Sequence, residues 1–185
     1  MQVYITHGFE AYPQKHWFMW LKNELAKKGI STTIPAMPNA DNPAPNEWLA
    51  TLQQEAQNIN THSYFIGHSL GCIATLNFLN TLPDSTRIGG TILISGFDTP
   101  LSIYPQLNAF IDGKLNYDKL CALTTNRLVI SASNDTIVPS HLSHTLAQNL
   151  KATFVQTHTG GHFMQDDGFT SFPLLLHYLN YFLDY

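Results

Sequence analysis

Short apolar segments alternate with longer amphipathic segments along the whole chain. Apolar runs rich in β-branched residues predict six strands, at residues 2–6, 30–34, 63–67, 91–95, 127–132 and 153–157. Apolar side chains that recur at helical spacing predict five helices, at residues 17–26, 48–59, 72–82, 140–150 and 172–183. Two stretches lack a regular pattern. Residues 35–45 hold four prolines and are expected to form a loop, and residues 96–125 leave room for one further helix.

This order of elements predicts an α/β fold. Strands that are apolar throughout, rather than at alternate positions, are typical of a parallel sheet with both faces covered. Helices between them, connected by right-handed crossovers, build a doubly wound, mostly parallel six-stranded sheet with helices on both faces. No linker or repeat divides the sequence, so residues 1–185 are expected to form one domain. Residues 96–125 are too few to form a large lid.

Composition and charge narrow the class of protein. Hydrophobic residues make up 44% of the chain and charged residues only 12%, a balance that argues against disorder. The formal net charge is -4, and the densest basic group is Lys22, Lys27 and Lys28 on one predicted helix. We therefore expect that neither nucleic acid nor an anionic membrane is the main partner.

The N-terminal residues, the lengths of the apolar runs and the number of cysteines predict a soluble, cytoplasmic protein. Residues 1–5 lack the basic and apolar regions of a signal peptide, and no apolar run reaches the roughly 20 residues that span a bilayer. Cys72 and Cys121 are too few for a disulfide framework. Reduced thiols are the simpler interpretation, although a single bridge between them stays open.

The first candidate for chemistry is the sequence GHSLG at residues 67–71, between a predicted strand and a predicted helix. A G-x-S-x-G pattern in this context is a nucleophile elbow, a tight turn that projects the serine hydroxyl above the sheet. Such a turn needs glycine where other backbone approaches closely. Ser69 is therefore the predicted nucleophile, and the backbone N–H groups of Leu70 and Phe9 are the predicted oxyanion-hole donors. The alternative is a strand-to-helix turn that merely requires glycine.

The chain order of nucleophile, acid and histidine assigns the partners of Ser69. Asp135 follows the fifth predicted strand, and His162 lies on a glycine-rich loop after the sixth. His162 is the predicted base, which takes the Ser69 proton and later returns it to the leaving group. Asp135 is predicted to fix the tautomer of His162 and to stabilise its protonated ring.

Other residues compete for these roles. Asp98, after the fourth predicted strand, is the alternative acid, and His158 is the alternative base. Asp135 could instead only cap the helix that follows it. Asp166 and Asp167, just after the predicted base, are more typical of a solvated helix cap.

The other conspicuous side chains are interpreted as structural. His141 and His144 lie three residues apart on a predicted helix, but no third ligand is near, so no metal is predicted. His68 is expected to support the turn at the elbow. Trp17 is assigned to the core, with a place at the pocket wall left open. Cys72 lies too deep in the elbow helix to serve as nucleophile.

The whole chain resembles the family of small serine hydrolases that includes bacterial YdeN-type proteins and retinoblastoma-binding protein 9. The segments that carry the resemblance are His7-Gly8, residues 17–25 (WFMWLKNEL), Met37-Pro38-Asn39, Trp48-Leu49, residues 67–71 (GHSLG), Ser95-Gly96-Phe97, residues 135–139 and Gly160-Gly161-His162-Phe163. The resemblance implies a minimal α/β-hydrolase fold and a catalytic triad of Ser69, Asp135 and His162. It also implies activity on small esters or related acyl compounds.

We therefore expect a serine hydrolase that cleaves small carboxylic esters or related acyl compounds through an acyl-enzyme on Ser69. Its partner is expected to be a small-molecule acyl substrate, and the reaction needs no cofactor. Short, soluble acyl groups are expected, because no large lid covers the site. One alternative is an acyltransferase or peptidase-like enzyme on the same triad. Another is a hydrolase-fold module that binds a protein.

Overall fold

The computed structural model describes residues 1–183, which form one six-stranded sheet flanked by helices. The strands are β1 (Gln2–Thr6), β2 (Ser31–Thr33), β3 (Ser63–His68), β4 (Gly90–Ile94), β5 (Arg127–Ala132) and β6 (Thr153–Thr157). Their order in the sheet is β2-β1-β3-β4-β5-β6, and every neighbouring pair is parallel. The predicted fold class is confirmed, and the sheet is entirely rather than mostly parallel.

The described residues also form six α-helices. They are α1 (Phe18–Ala26), α2 (Pro45–Glu55), α3 (Leu70–Thr81), α4 (Tyr117–Leu123), α5 (Ser140–Asn149) and α6 (Pro173–Leu183). Two short 3-10 helices add to them, at Pro105–Phe110 and Gln165–Asp167. Each of the five predicted helices is present, and α4 lies in the stretch whose pattern left room for one more.

The largest error in the predicted bounds concerns α2. This helix begins at Pro45 because proline suits the first turn, where its missing N–H costs no hydrogen bond and its fixed backbone angle is already helical. It ends at Glu55, before the predicted end at residue 59. The apolar spacing continues beyond the helix because Ala56 and Ile59 still pack into the core from the following loop.

The sheet separates two hydrophobic cores. On one face α1 and α6 pack against the strands, and on the other face α2, α3 and α5 do so. Because successive strand side chains point to opposite faces, neighbours such as Ile92 and Leu93 enter different cores. Each core holds one fully buried tryptophan, Trp17 beside α1 and Trp48 within α2. This two-sided burial explains why the inner strands β1, β3, β4 and β5 are largely apolar, whereas the edge strands β2 and β6 carry more polar residues.

The strand order creates a crevice at the carboxyl edge of the sheet. β2 lies on one side of β1 and β3 on the other, so the connections after β1 and β3 leave in opposite directions. Open α/β sheets generally bind ligands at such a switch point. The GHSLG turn follows β3 and the segment His7-Gly8-Phe9 follows β1. The fold therefore places the predicted nucleophile and both predicted oxyanion donors at this crevice.

Two further features of the described residues bear on the predictions, the length of the helices and the state of the two cysteines. No helix within residues 1–183 is both long and apolar enough to cross a membrane. Cys72, within α3, and Cys121, within α4, are free thiols. Burial raises the pKa of the Cys72 thiol, so this side chain stays protonated and is not poised as a nucleophile.

Candidate active site

Ser69 occupies a strained turn between β3 and α3. Its φ of 54° and ψ of -124° lie outside the regions that residues other than glycine usually adopt. A Cβ atom at Gly71 would lie 2.6 Å from the carbonyl oxygen of His7, and one at Gly67 would lie 2.6 Å from Cα of Cys72. Only glycine fits both positions, so the two glycines allow the turn that raises the serine at the sheet edge.

Asp135 lies in the loop after β5 and is held by four hydrogen bonds. Its Oδ1 accepts from the backbone N–H groups of Ile137 and Val138, each at 2.9 Å. Its Oδ2 accepts from the Ser95 hydroxyl at 2.7 Å and from Nδ1 of His162 at 2.9 Å. The side chain therefore caps the following turn, as the alternative interpretation required, and also contacts the predicted base.

This environment keeps Asp135 charged. Burial opposes ionisation, but the hydrogen bond and charge of His162 outweigh it, with help from Val138 and Ser95, and the net effect lowers the pKa of Asp135. At neutral pH the carboxylate is an acceptor only. Nδ1 of His162 must therefore carry a hydrogen, which leaves Nε2 of the neutral ring as the basic nitrogen.

His162 is fixed through its backbone as well as its ring. Its N–H donates to Oδ2 of Asp167 at 2.9 Å, and its carbonyl accepts from Nε2 of His68 at 2.8 Å. Asp167 also accepts from the N–H of Met164 and so caps the start of the short helix Gln165–Asp167, in line with its predicted role as a cap. His68 thus ties the elbow directly to the loop that carries His162.

Ser69 and His162 face a common cavity of about 240 Å³ at the switch point. Apolar side chains form one part of its wall and polar or charged side chains another. The apolar ones are Phe9, Leu101, Tyr104, Leu107, Ile137 and Met164, and the others are Glu10, Lys15, His16 and Asp166. Among the described residues no hydrogen bond joins Ser69 Oγ to His162, and the two side chains are brought together only as parts of the same cavity wall.

The segment after β1 lies directly against the serine. A Cβ atom at Gly8 would come 2.9 Å from Cβ of Ser69, so the next N–H, that of Phe9, is close to the nucleophile. Within residues 1–183 no acceptor binds the N–H of Phe9, nor that of Leu70 at the start of α3. Two unpaired N–H groups beside a serine are the donors that an oxyanion requires.

His7 holds this segment in place. Its Nδ1–H donates to the carbonyl of Gly8 at 2.9 Å, and its Nε2 accepts from the N–H of Met37 at 3.1 Å. Glu10 N–H donates to the carbonyl of Ala40 at 2.8 Å. The proline-rich loop therefore supports the second predicted oxyanion donor, although Phe9 is followed by no further glycine.

The alternative acid and base lie elsewhere. Oδ2 of Asp98 accepts hydrogen bonds from the hydroxyl of Tyr117 and the side-chain amide of Asn149. His158 is exposed and is not part of the cavity wall. The structure thus brings His162 to Asp135 and leaves both alternatives outside the site.

Two further predictions concern tryptophan and metal. Trp17 is fully buried, with its ring edge-on to Phe172, and it does not line the cavity. The sequence left open that Trp17 lines the pocket, and this possibility is therefore wrong. Within residues 1–183 no group of three or more His, Cys, Asp or Glu side chains is arranged to hold a metal ion.

The sequence did not predict three features of the site. Ser95 binds Asp135, Asp167 binds the backbone of His162, and His16 lines the cavity. For Ser95 the available signal was a polar residue at the carboxyl end of an apolar strand. His16 offered only its position before α1.

Comparison with known proteins agrees with this architecture. The sequence profile of the family described as serine hydrolase matches residues 3–181. The YdeN protein of Bacillus subtilis (strain 168) is 40% identical over 174 residues, which cover 94% of this chain and 92% of the relative. The crystal structure of the ydeN gene product from B. subtilis superposes with a TM-score of 0.96 and 38% identity, covering 100% of this chain and 99% of the other.

More distant structures share the fold. The α/β hydrolase domain-containing protein 10 from mouse superposes with a TM-score of 0.73 at 13% identity, covering 99% of this chain and 89% of the other. At that identity the likeness concerns architecture only. The family profile and the B. subtilis relative together confirm the resemblance that the motifs indicated, and the chain therefore belongs to the serine hydrolase family, with a minimal α/β-hydrolase fold.

Proposed function

We propose that this chain hydrolyses small carboxylic esters or related acyl compounds through an acyl-enzyme on Ser69. The observation that carries the proposal is the buried pair of Asp135 and His162, joined at 2.9 Å, beside the cavity that Ser69 lines. Because the charged carboxylate of Asp135 accepts the hydrogen on Nδ1 of His162, Nε2 of the ring is left as the base that faces the cavity.

The reaction then proceeds in two balanced halves. Ser69 Oγ attacks the carbonyl carbon while its proton passes to Nε2 of His162, and the N–H groups of Phe9 and Leu70 bind the resulting oxyanion. The bond to the leaving group breaks as His162 returns the proton to the departing oxygen. A water molecule, deprotonated by His162, attacks the acyl-enzyme in the same way and releases the carboxylic acid and free Ser69.

The cavity size favours short acyl groups. Its volume of about 240 Å³ is below the roughly 300–1,000 Å³ typical of pockets for drug-sized ligands. Leu101, Tyr104 and Leu107, from the segment between β4 and α4, narrow it with apolar side chains. Long acyl chains would have to extend into solvent, where they gain no burial.

Labelling with a fluorophosphonate probe at neutral pH tests the proposal. We expect the wild type to be labelled covalently, and Ser69→Ala and His162→Ala to lose labelling by at least about 10³-fold in rate, because each removes a partner of the proton transfer. Ser102→Ala, which changes an exposed serine, is the matched control and should react like the wild type.

A substrate series completes the test. Hydrolysis of p-nitrophenyl esters from acetate to octanoate should decline with chain length and should vanish in Ser69→Ala. Absence of labelling and of turnover in folded wild type would contradict the proposal and favour a protein-binding module. Turnover that rises with added alcohols or amines, or on amide substrates, would favour an acyltransferase or a peptidase-like enzyme instead.

A further inference from the structure

A second histidine ring reaches the cavity of Ser69 and His162. His16 lies just before α1, is only 9% exposed and forms part of the cavity wall. Its φ of 56° lies in the left-handed region, where residues other than glycine are uncommon and histidine, asparagine and aspartate are the ones most often found.

The contacts of His16 define which ring nitrogen carries the hydrogen. The N–H of Gln165 donates to Nδ1 of His16 at 3.1 Å. A nitrogen that accepts is unprotonated, so the neutral ring bears its hydrogen on Nε2. The contact joins residues 149 positions apart and fixes the ring against the loop that also carries His162.

The ring is held neutral and in one orientation. Burial is the largest cause that lowers the pKa of His16, and the positive charges of Lys15 and His162 add to it. Asp166 and Asp167 act in the opposite direction, and the net pKa is about 4. Phe18 and His68 pack edge-on against the ring, each with centroids 5.5 Å away. At neutral pH His16 is therefore an uncharged donor.

The other histidines around the cavity have already used their donors. Nε2–H of His68 binds the carbonyl of His162, and Nδ1–H of His7 binds the carbonyl of Gly8. Nδ1–H of His162 binds Asp135. Among the described residues nothing accepts a hydrogen bond from Nε2 of His16. This donor is thus available to a ligand in the cavity.

We propose that His16 is a substrate-binding residue whose Nε2–H donates a hydrogen bond to an oxygen atom of the substrate near the scissile carbonyl. The favoured substrates are esters or related acyl compounds with an ether, hydroxyl or carbonyl oxygen a few bonds from the reacting carbon. Purely alkyl analogues leave a largely buried donor without an acceptor, and sites of this kind discriminate against such analogues. The inference rests on the proposed function of Ser69.

Two matched pairs of esters test it. On the acyl side, p-nitrophenyl methoxyacetate is compared with p-nitrophenyl butyrate, and on the alcohol side, 2-methoxyethyl acetate with butyl acetate. Each pair differs by one ether oxygen in place of a methylene. The ratio of kcat/KM, ether over alkyl, is measured for each enzyme, and division by the wild-type ratio cancels the intrinsic reactivity of the esters.

Two variants test the two ring nitrogens of His16 separately, Nδ1, which faces Gln165, and Nε2, which faces the cavity. His16→Asn keeps an acceptor at the position of Nδ1 and tolerates a positive φ, but lacks the outer donor. His16→Gln supplies an amide N–H near the position of Nε2. We expect His16→Asn to lower the ratio about fivefold in at least one pair, as loss of one neutral hydrogen bond predicts, and His16→Gln to keep most of it. His158→Asn, an exposed control, should leave it unchanged.

Several outcomes would overturn the inference. One is a ratio in folded His16→Asn equal to that of the wild type for both pairs. Another is an equal loss in His16→Gln, since the donor would then not be the cause. If only His16→Gln folds, a clear fall of its ether-over-alkyl ratio below that of the wild type also overturns the inference. The proposed function fails separately, if wild type and Ser69→Ala hydrolyse all four esters equally slowly.

Discussion

Each carboxylate oxygen of Asp135 accepts two hydrogen bonds, so the buried charge has a complete set of donors. A buried carboxylate is tolerated when its lone pairs are satisfied, and it becomes costly when a donor is removed. Ser95 and His162 share Oδ2, which couples the position of the ring to the hydroxyl at the end of β4. Ser95 therefore orients the predicted base through Asp135.

Ser95→Ala tests this coupling. The variant loses a hydrogen bond to a charged group, so its free energy of unfolding should fall by about 1.5–3 kcal/mol. Chemical denaturation measures this loss. We expect kcat/KM for ester hydrolysis to fall by about 4- to 12-fold if half of that cost is also felt in the transition state. Ser143→Ala is the control, because the buried Ser143 hydroxyl donates at 2.7 Å to the carbonyl of Gly96, outside the site. It should lose stability and keep its rate.

At the scale of elements, the approach of α3 to β1 shapes the site. The first turn of α3 packs on the last residues of β1 so closely that a Cβ at Gly71 would overlap the carbonyl oxygen of Thr6 as well as that of His7. The helix start supplies Leu70 N–H, and the strand end leads to Phe9 N–H. The distance between these two predicted oxyanion donors thus depends on one glycine contact.

Gly71→Ala should separate the two elements. We expect a loss of about 1–3 kcal/mol in unfolding free energy from overpacking, together with slower fluorophosphonate labelling, since Leu70 and Phe9 move apart. Gly113→Ala is the matched control, because the nearest atom to its added Cβ is 4.0 Å away. Its stability should stay within about 1 kcal/mol of the wild type. Normal labelling of Gly71→Ala would contradict this account of the oxyanion site.

At the scale of the whole molecule, the fold buries three histidines in a neutral state. Burial is the main cause that lowers the pKa of His7, of His16 to about 4, and of His68 well below its ordinary value. In the unfolded chain these rings titrate near the ordinary histidine pKa of about 6.5. Below that pH the unfolded state binds protons that the folded state does not, so acid favours unfolding.

The stability of the wild type should therefore fall steadily as the pH is lowered from about 7 to about 4. Asp135 acts in the same direction at lower pH, since its lowered pKa contributes stability that is lost as the carboxylate becomes protonated. Denaturation of His16→Asn across this range should show a pH dependence shallower by up to one proton between about pH 6.5 and 4. His158→Asn should keep the wild-type slope, and a wild-type slope in His16→Asn would contradict the burial of a neutral ring there.

The sequence alone determined the features that depend on neighbours along the chain. The predicted bounds of β5 and β6 match the observed ones, because each run of apolar and β-branched residues ends where the strand ends. The GHSLG turn was predicted from the glycines that close packing requires, and Asp135 and His162 from their positions after successive strands. The predicted end of α2 was wrong because the helical spacing of apolar residues continued beyond the hydrogen-bonded helix, which ends at Glu55.

The contacts between side chains across the loops follow from the tertiary fold and not from the local sequence. The bond of Ser95 to Asp135 joins residues 40 positions apart, and that of Gln165 to His16 joins residues 149 apart. Neither partner can be read from periodicity, because such contacts depend on the strand order and on the paths of loops at the sheet edge. The same reason explains why the shape of the cavity, and with it any preference for one acyl group, follows from the folded chain and not from the motif.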